Sequence, residues 1–408
     1  MESGIRVVTE HMPYSDALCL GFWVGIGSRD ESETLAGVSH FLEHLLFKGT
    51  SSRTAKDIAE QIDSVGGDMN AFTTKEYTAF YIRLLAEDID LGLDILCDIL
   101  TDPSFLEHEV ASERQVILEE VLMHLDEPSD LVIEHLFEAL YPGHPLGRDV
   151  LGIPSVISSV EVEEIRSFFS KYYLPKNMVF SAAGNLDHEK IASRIKDCFD
   201  AGGSGEKPKR FTPDTPSVPL KVLERDTEQT QIAVGIKAID RHSPDRYALA
   251  AINQILGGGL ASRLFQKIRE EKGLAYSIGS ERVAFEDTGA VIVSLGTNPV
   301  NAGQVLELLN VELDLMANGQ IDRHELDAAK KHLCAETLLN IEDSGSRMSR
   351  VGASLLLHND VLSVEEIVKR IESTTLEDAI RVSRDIFSQP KSLSVVGPFV
   401  EEDWHGYS

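Results

Sequence analysis

Three residues near the start of the chain have types and spacing suited to metal chemistry. His40, Glu43 and His44 stand at i, i+3 and i+4 within His40-Phe41-Leu42-Glu43-His44, and on a helix these positions share one face. Two imidazoles one turn apart can hold a single zinc ion from the same side, and a catalytic zinc site keeps one position open for water. The glutamate between them suits a general base better than a ligand. Zinc lowers the pKa of its water to about 7, and a nearby carboxylate can take the proton as that water attacks a peptide carbonyl. The order HxxEH is the inverse of HExxH, a motif by which zinc peptidases are known. His108-Glu109 and His324-Glu325 begin like HExxH, but Ser112 and Ala328 stand where the second histidine would be.

A third ligand has to come from elsewhere. The charged segment His108 to Leu125 reads as a helix carrying Glu109, Glu113, Glu119 and Glu120. Glu113 and Glu120 are seven residues apart, hence on one face with Val116 and Ile117, while Glu119 points about 100° away. Glu120 is taken as the third ligand and Glu113 as the carboxylate that holds a ligand histidine in position. His124, one turn after Glu120, competes for the ligand role.

These residues need elements to hold them. Leu35, Val38, Phe41, Leu42, Leu45 and Leu46 surround the motif with the apolar spacing of a buried helix, Val38 to Phe47. An apolar strand, Leu18 to Ile26, precedes it. Further on come a strand at Thr78 to Leu85 and a helix at Leu91 to Leu100. The second half repeats this order: strand Ile232 to Ile236, helix Tyr247 to Leu256, strand Ala290 to Leu295, helix Val305 to Met316 and charged helix Arg323 to Leu339. Shared order over most of each half indicates a duplication. An offset of 213 sets His40 to His44 against Asn253-Gln254-Ile255-Leu256-Gly257. The second half keeps the apolar spacing and lacks both histidines and the glutamate, so the fold does not require them.

The chain has 408 residues, which at about 100–200 residues per domain favours two domains. Gly202, Gly203, Ser204 and Gly205, followed by Pro208, Pro213, Pro216 and Pro219, mark a linker. The expected organisation is a catalytic domain over 1–200, a linker over 201–219 and a second, metal-free domain over 220–408. A net charge of −29 disfavours nucleic acid, which is bound through basic surfaces. It fits solubility or a basic peptide partner. No apolar run approaches the roughly 18 residues of a membrane span. Cys19, Cys97, Cys198 and Cys334 are scattered, with no CxxC, and the opening residues carry no basic segment followed by an apolar one. A cytoplasmic protein is therefore expected.

The stretch His40 to Thr50, HFLEHLLFKGT, resembles the signature of the pitrilysin-type (M16) metallopeptidases, and within them the bacterial and mitochondrial processing peptidase branch. Glu120 lies 76 residues after His44, as in that family, and Glu113 falls at its additional acidic position. Gly27-Ser28-Arg29, Gly37, Gly66 to Thr73 and Arg269 to Tyr276 match further family segments. The resemblance implies two α/β (α+β) domains, each a mostly antiparallel sheet with helices packed on one face. It implies one zinc per chain and hydrolysis of peptides or unfolded segments by an endopeptidase. Substrate would add as a strand near Asn70, Ala71 and Phe72. Arg269 and Tyr276 would contact substrate, Tyr276 near the developing oxyanion, in a homodimer where each chain serves its partner's zinc site. From residue type alone, Arg269 reads as a solvated charge and Tyr276 as a core aromatic. Gly257-Gly258-Gly259 is either the family's substrate-holding loop or a turn. The alternative function is a non-catalytic peptide-binding or scaffold subunit, which the family also contains.

Overall fold

Both halves of the chain build the same sheet. The computed structural model describes residues 3–199, 207–404 and 406, so the glycine-rich part of the expected linker, 201–206, lies outside the described residues. The first sheet contains β1 (Arg6–His11), β2 (Ala17–Val24), β3 (Asp68–Thr73), β4 (Thr78–Leu85) and β5 (Met178–Gly184) in the order β1-β5-β2-β4-β3. The second contains β6 (Leu220–Glu224), β7 (Thr230–Ala238), β8 (Ala275–Ala284), β9 (Gly289–Thr297) and β10 (Lys391–Gly397) in the order β6-β10-β7-β9-β8. The two orders correspond strand for strand, as a duplication requires. Pairing is antiparallel except between β1 and β5 and between β6 and β10. Each sheet is therefore mixed and mostly antiparallel.

The helices follow the apolar periodicity. In chain order they are α1 (Val38–Leu45), α2 (Ala55–Ser64), α3 (Ile89–Thr101), α4 (Glu107–Leu125), α5 (Pro128–Leu140), α6 (Pro154–Ser159), α7 (Val162–Tyr172) and α8 (His188–Cys198). Then come α9 (Arg246–Leu256), α10 (Ala302–Ala317), α11 (Arg323–Asn340), α12 (Ser344–His358), α13 (Val364–Glu372) and α14 (Leu376–Phe387).

The main core of the first sheet holds Leu18, Leu20, Phe22 and Val24 of β2 against Phe41 and Leu42 of α1, Leu96 of α3 and Phe168 of α7. Burying each such side chain contributes about 1.5–3 kcal/mol. Strand β2 is apolar at nearly every position rather than at alternate ones, and that pattern fits a strand covered on both faces. Its other face carries Cys19 and Trp23, packed with Val179, Ala183 and Met348 of α12. Helices thus lie on the expected face, and one further helix covers the opposite face.

That further helix comes from far along the chain. The first compact unit is Met1–Leu122, Asp149–Arg210 and Leu339–Leu362; the second is Met123–Arg148, Phe211–Leu338 and Ser363–Ser408. The chain does not divide once at 201–219. Helix α12 belongs to the first unit, where Arg350 Nη2 donates to Glu10 Oε2 of β1 at 2.8 Å. Helix α5 belongs to the second, where Leu136 and Leu140 pack with Ala233, Ile292 and Val396.

Candidate metal centre

Helix α1 is set in place at its N-terminus. Gly37 there has φ 100°, in the left-handed region, and a Cβ at this position would lie 2.7 Å from the Leu151 carbonyl oxygen. Only glycine allows that entry. The carboxylate of Glu31, itself buried, accepts from the Gly37 N–H and the Ser39 N–H, each at 2.7 Å. An anion at a helix N-terminus satisfies free N–H groups and complements the helix dipole. The preceding turn is also tied down. Arg29 Nη1 donates to Glu76 Oε1 at 2.5 Å, and Arg210 meets Asp30 through two hydrogen bonds of 2.8 Å. Sequence reading found Gly27 to Arg29 and Gly37 by resemblance; the structure supplies the reason for them. It did not find Glu31, because the contact closes a loop that no periodicity marks.

Helix α4 brings the third carboxylate. Its buried stripe is Val110, Glu113, Ile117 and Val121. Glu120 borders that stripe, half-buried, and Glu119 is exposed as expected. Val116 is not on the stripe: it is 48% exposed, because one position before Ile117 the helix has turned about 100° toward solvent.

The three expected ligands converge. His40 Nε2 and His44 Nε2 lie 3.2 Å apart, and Glu120 Oε2 lies 3.7 Å from the first and 3.5 Å from the second. A tetrahedral zinc with ligands at about 2.0–2.2 Å requires ligand edges of roughly 3.3–3.6 Å. Two imidazoles and a carboxylate at these separations fit zinc. His124 does not join them; its Nδ1 lies 2.6 Å from Glu134 Oε1.

The charges around the ligands favour metal over protons on one of them. Burial, and next the charge of His44, lower His40 to about 4, so its imidazole is neutral over the ordinary pH range. Burial opposes charge on His44 as well, but the Glu113 hydrogen bond and charge, with Glu120 and Glu43, outweigh it and raise its pKa. His44 Nδ1 is 2.8 Å from Glu113 Oε1. With Nδ1–H donated there, the lone pair of Nε2 faces His40 and Glu120. Glu113 is 3% exposed. Burial works against its anion, but hydrogen bonds from His44 and Lys48 outweigh that and hold it below the usual carboxylate range. Lys48 Nζ lies 2.5 Å from Glu113 Oε2. Sequence reading missed Lys48, which lies past the end of α1, where helical period no longer says which way a side chain points.

Glu43 is not part of the ligand triangle. One of its oxygens, Oε2, is buried without a hydrogen-bond partner. Burial pushes the carboxyl upward, offset in part by Thr73 of β3 and by His44. A carboxyl with a raised pKa and a free oxygen is suited to accept a proton.

Strand β3 lies at the edge of its sheet, paired on one side with β4, and α1 packs against it. Asn70 is exposed and Ala71 contributes to the core beside α1. The Phe72 side chain turns to the opposite face, among Trp23, Tyr77 and Tyr81. Only its backbone is presented at the edge.

Arg269 and Tyr276 lie in the second unit. Tyr276 is 79% exposed, at a register shift of β8 between Ala275 and Ser277. It is not a core aromatic. The Arg269 guanidinium sits 4.7 Å from the Phe265 ring centroid and 5.1 Å from that of Tyr276, a cation–π geometry that orients both.

The second unit contains the counterpart of the metal helix and fills it differently. Asn253, at the position matching His40, donates from Nδ2 to the Ser280 carbonyl at 3.1 Å. Gly257 matches His44, and a Cβ there would lie 2.6 Å from Ser280 N. Gly257 is thus a close-approach position against β8, and its carbonyl accepts from the Ser280 N–H.

Residues 6–153 match the family described as Insulinase (Peptidase family M16), and residues 159–333 match its inactive domain. The chain is 38% identical to an uncharacterised zinc protease of Streptomyces coelicolor, over 98% of this chain and 89% of that protein. It is 39% identical to one of Mycobacterium tuberculosis (98% and 92% covered) and 36% identical to one of Bacillus subtilis (97% of each). A crystal structure of a protease from Helicobacter pylori superimposes with TM-score 0.88 at 24% identity, covering 98% of each chain. An M16 inactive-domain peptidase structure from Pseudomonas fluorescens gives 0.90 at 22%, covering 98% of this chain and 97% of the other.

Proposed function

The chain belongs to the insulinase (M16) family of zinc peptidases, and from that premise we propose that it is a zinc-dependent endopeptidase acting on peptides or unfolded segments. One observation carries the reading: His40, His44 and Glu120 present three donor atoms 3.2–3.7 Å apart, beside a glutamate that is not needed as a ligand. Zinc held there, one per chain, would activate a water and polarise the scissile carbonyl.

The chain's own residues do the rest. Glu43 accepts the proton of the attacking water and passes it to the leaving amine. Glu113, fixed by Lys48, holds the His44 ring in the orientation that presents Nε2. The outer edge of β3 at Asn70 and Ala71 takes the substrate backbone as an added strand, which tolerates varied sequences. Arg269 and Tyr276 contact substrate at the zinc site of the partner chain in a homodimer, with the Tyr276 hydroxyl stabilising the oxyanion. No helix among the described residues is long and apolar enough to cross a membrane; cytoplasmic placement is part of the proposal.

Cleavage of a quenched peptide library, with and without chelator, tests the reading. Chelator-sensitive cleavage within peptides supports it. Binding of peptides without cleavage, at full zinc loading, would favour a scaffold subunit instead.

A further inference from the structure

The four cysteines are free thiols, and folding brings together two that the sequence keeps far apart. Cys97 lies on α3 and Cys198 is the last residue of α8, and the two helices pack against each other. Cys97 is part of the main core of the first unit; Cys198 packs at its margin and is half-exposed. Both line one cavity of about 510 Å³, together with the polar side chains of Ser52, Arg53, Gln61 and Asp94. No residue of the metal centre lines it.

The two sulfurs differ first in reach: Cys97 is 6% exposed, whereas Cys198 is half-exposed at the cavity. The neighbouring Cys97 thiol, and after it the charge of Arg194, hold Cys198 below the ordinary thiol range against the effect of burial. The neighbouring Cys198, with burial, holds Cys97 above that range. Cys19 and Cys334 are raised by burial, and the Cys19 thiol is 3.4 Å from Ser344 Oγ. A more acidic, reachable thiol beside a buried one is the arrangement of an attacking and a resolving cysteine.

We propose that Cys97 and Cys198 form a thiol–disulfide exchange site that takes a small-molecule disulfide through this cavity. The Cys198 thiolate attacks one sulfur of the incoming disulfide, forming a mixed disulfide and releasing the other half as a thiolate. The Cys97 thiol, losing its proton to solvent, then attacks the Cys198 sulfur and expels the second half. One external disulfide is reduced to two thiols, and the two protein thiols become one disulfide joining α3 to α8. The reverse exchange with a dithiol restores them. The inference is independent of the peptidase reading.

The test is incubation of the full, folded chain with oxidised glutathione, followed by thiol blocking, proteolysis and mass spectrometry. The expected product has lost two hydrogens, and its Cys97 and Cys198 peptides are cross-linked until a dithiol is added. Cys19 and Cys334 remain alkylatable. In Cys97→Ser, glutathione stays on Cys198 as a stable adduct. In Cys198→Ser, Cys97 reacts at least tenfold more slowly than Cys198 does in the parent. Two free thiols at these positions after oxidation, or a lasting glutathione adduct on Cys198 of the parent, would overturn the proposal. The parent measurement decides the matter even where a variant does not fold.

Discussion

His44 Nδ1 lies 2.8 Å from Glu113 Oε1, and the other oxygen of that carboxylate lies 2.5 Å from Lys48 Nζ. The lysine neutralises the buried glutamate, the glutamate fixes the imidazole, and the imidazole presents Nε2 to His40 and Glu120. Partners of this kind are worth about 10–100-fold in metal affinity or activity. Glu113→Gln removes the charge and the lysine pair, so zinc affinity should fall within that range. Lys48→Met leaves the histidine contact and should cost less, in the same direction. Competition with a chromophoric zinc chelator measures both. Parent-like affinity in Glu113→Gln would remove Glu113 from the metal centre.

Glu43 should separate binding from chemistry. It stands outside the ligand triangle, so Glu43→Gln should keep zinc at the parent stoichiometry while hydrolysis falls about 10²–10⁴-fold, the usual worth of a positioned acid–base group. Zinc content by atomic absorption, paired with peptide cleavage, reads both. A variant that cleaves as well as the parent would refute Glu43 as the base.

Acid should destabilise the metal-free chain through His40. An unperturbed histidine titrates near 6.5, whereas His40 in the fold is lowered to about 4, first by burial and then by the charge of His44. The unfolded chain therefore binds a proton over a window in which the folded chain does not. The stabilising contribution is full above about pH 6.5 and is lost as pH falls toward about 4, by up to roughly 3 kcal/mol. His44 is raised, so its contribution has the opposite sign: present below 6.5 and lost as pH rises through its folded value. Urea unfolding of the metal-free parent and His40→Leu, compared at pH 7 and pH 4, isolates the His40 part. The parent's advantage, or deficit, should shift against it by about 3 kcal/mol at the lower pH; a difference independent of pH would contradict the argument.

Glu31 is expected to act through α1. Its carboxylate takes the Gly37 and Ser39 N–H groups, and loss of a helix cap costs about 0.5–2 kcal/mol. Glu31→Ala should lower stability by about that much in denaturant unfolding and should weaken zinc binding too, since the helix it holds carries two ligands. Reduced stability with unchanged zinc affinity would make Glu31 a cap and nothing more.

The part of this site that the sequence displays is the part governed by helical period. His40, Glu43 and His44 share a face because they are one turn apart, and Glu113 and Glu120 because they are two turns apart. Period also gave the matching helices of the two halves, α3 with α10 and α4 with α11. Contacts that close through space were hidden. Glu31 reaches α1 across a loop, and Cys97 meets Cys198 only because α3 packs on α8. Helix α12 joins the first unit and α5 the second, since an apolar stripe states that a face is buried and not which sheet buries it. The near-continuous apolar run of β2 was the one trace of that extra cover. Phe72 shows the limit of segment matching: resemblance takes Asn70, Ala71 and Phe72 together, but alternation along β3 sends the Phe72 ring to the other face of the sheet.

Tyr276 offers the sharpest test of shared sites. An exposed tyrosine with no core role can lose its hydroxyl at little cost to folding, within about 0.5 kcal/mol. If the hydroxyl stabilises an oxyanion, Tyr276→Phe should keep its melting temperature and lose about 10²–10³-fold in turnover. The homodimer reading adds a stronger consequence. A Glu43→Gln chain supplies an intact Tyr276, and a Tyr276→Phe chain supplies an intact Glu43. Mixed after dissociation and reassembly, they should form hybrid dimers in which one of the two sites has both groups. Activity should then rise far above the sum of the separate variants. Sites completed within a single chain would give no such gain, and the mixture would cleave no faster than its components.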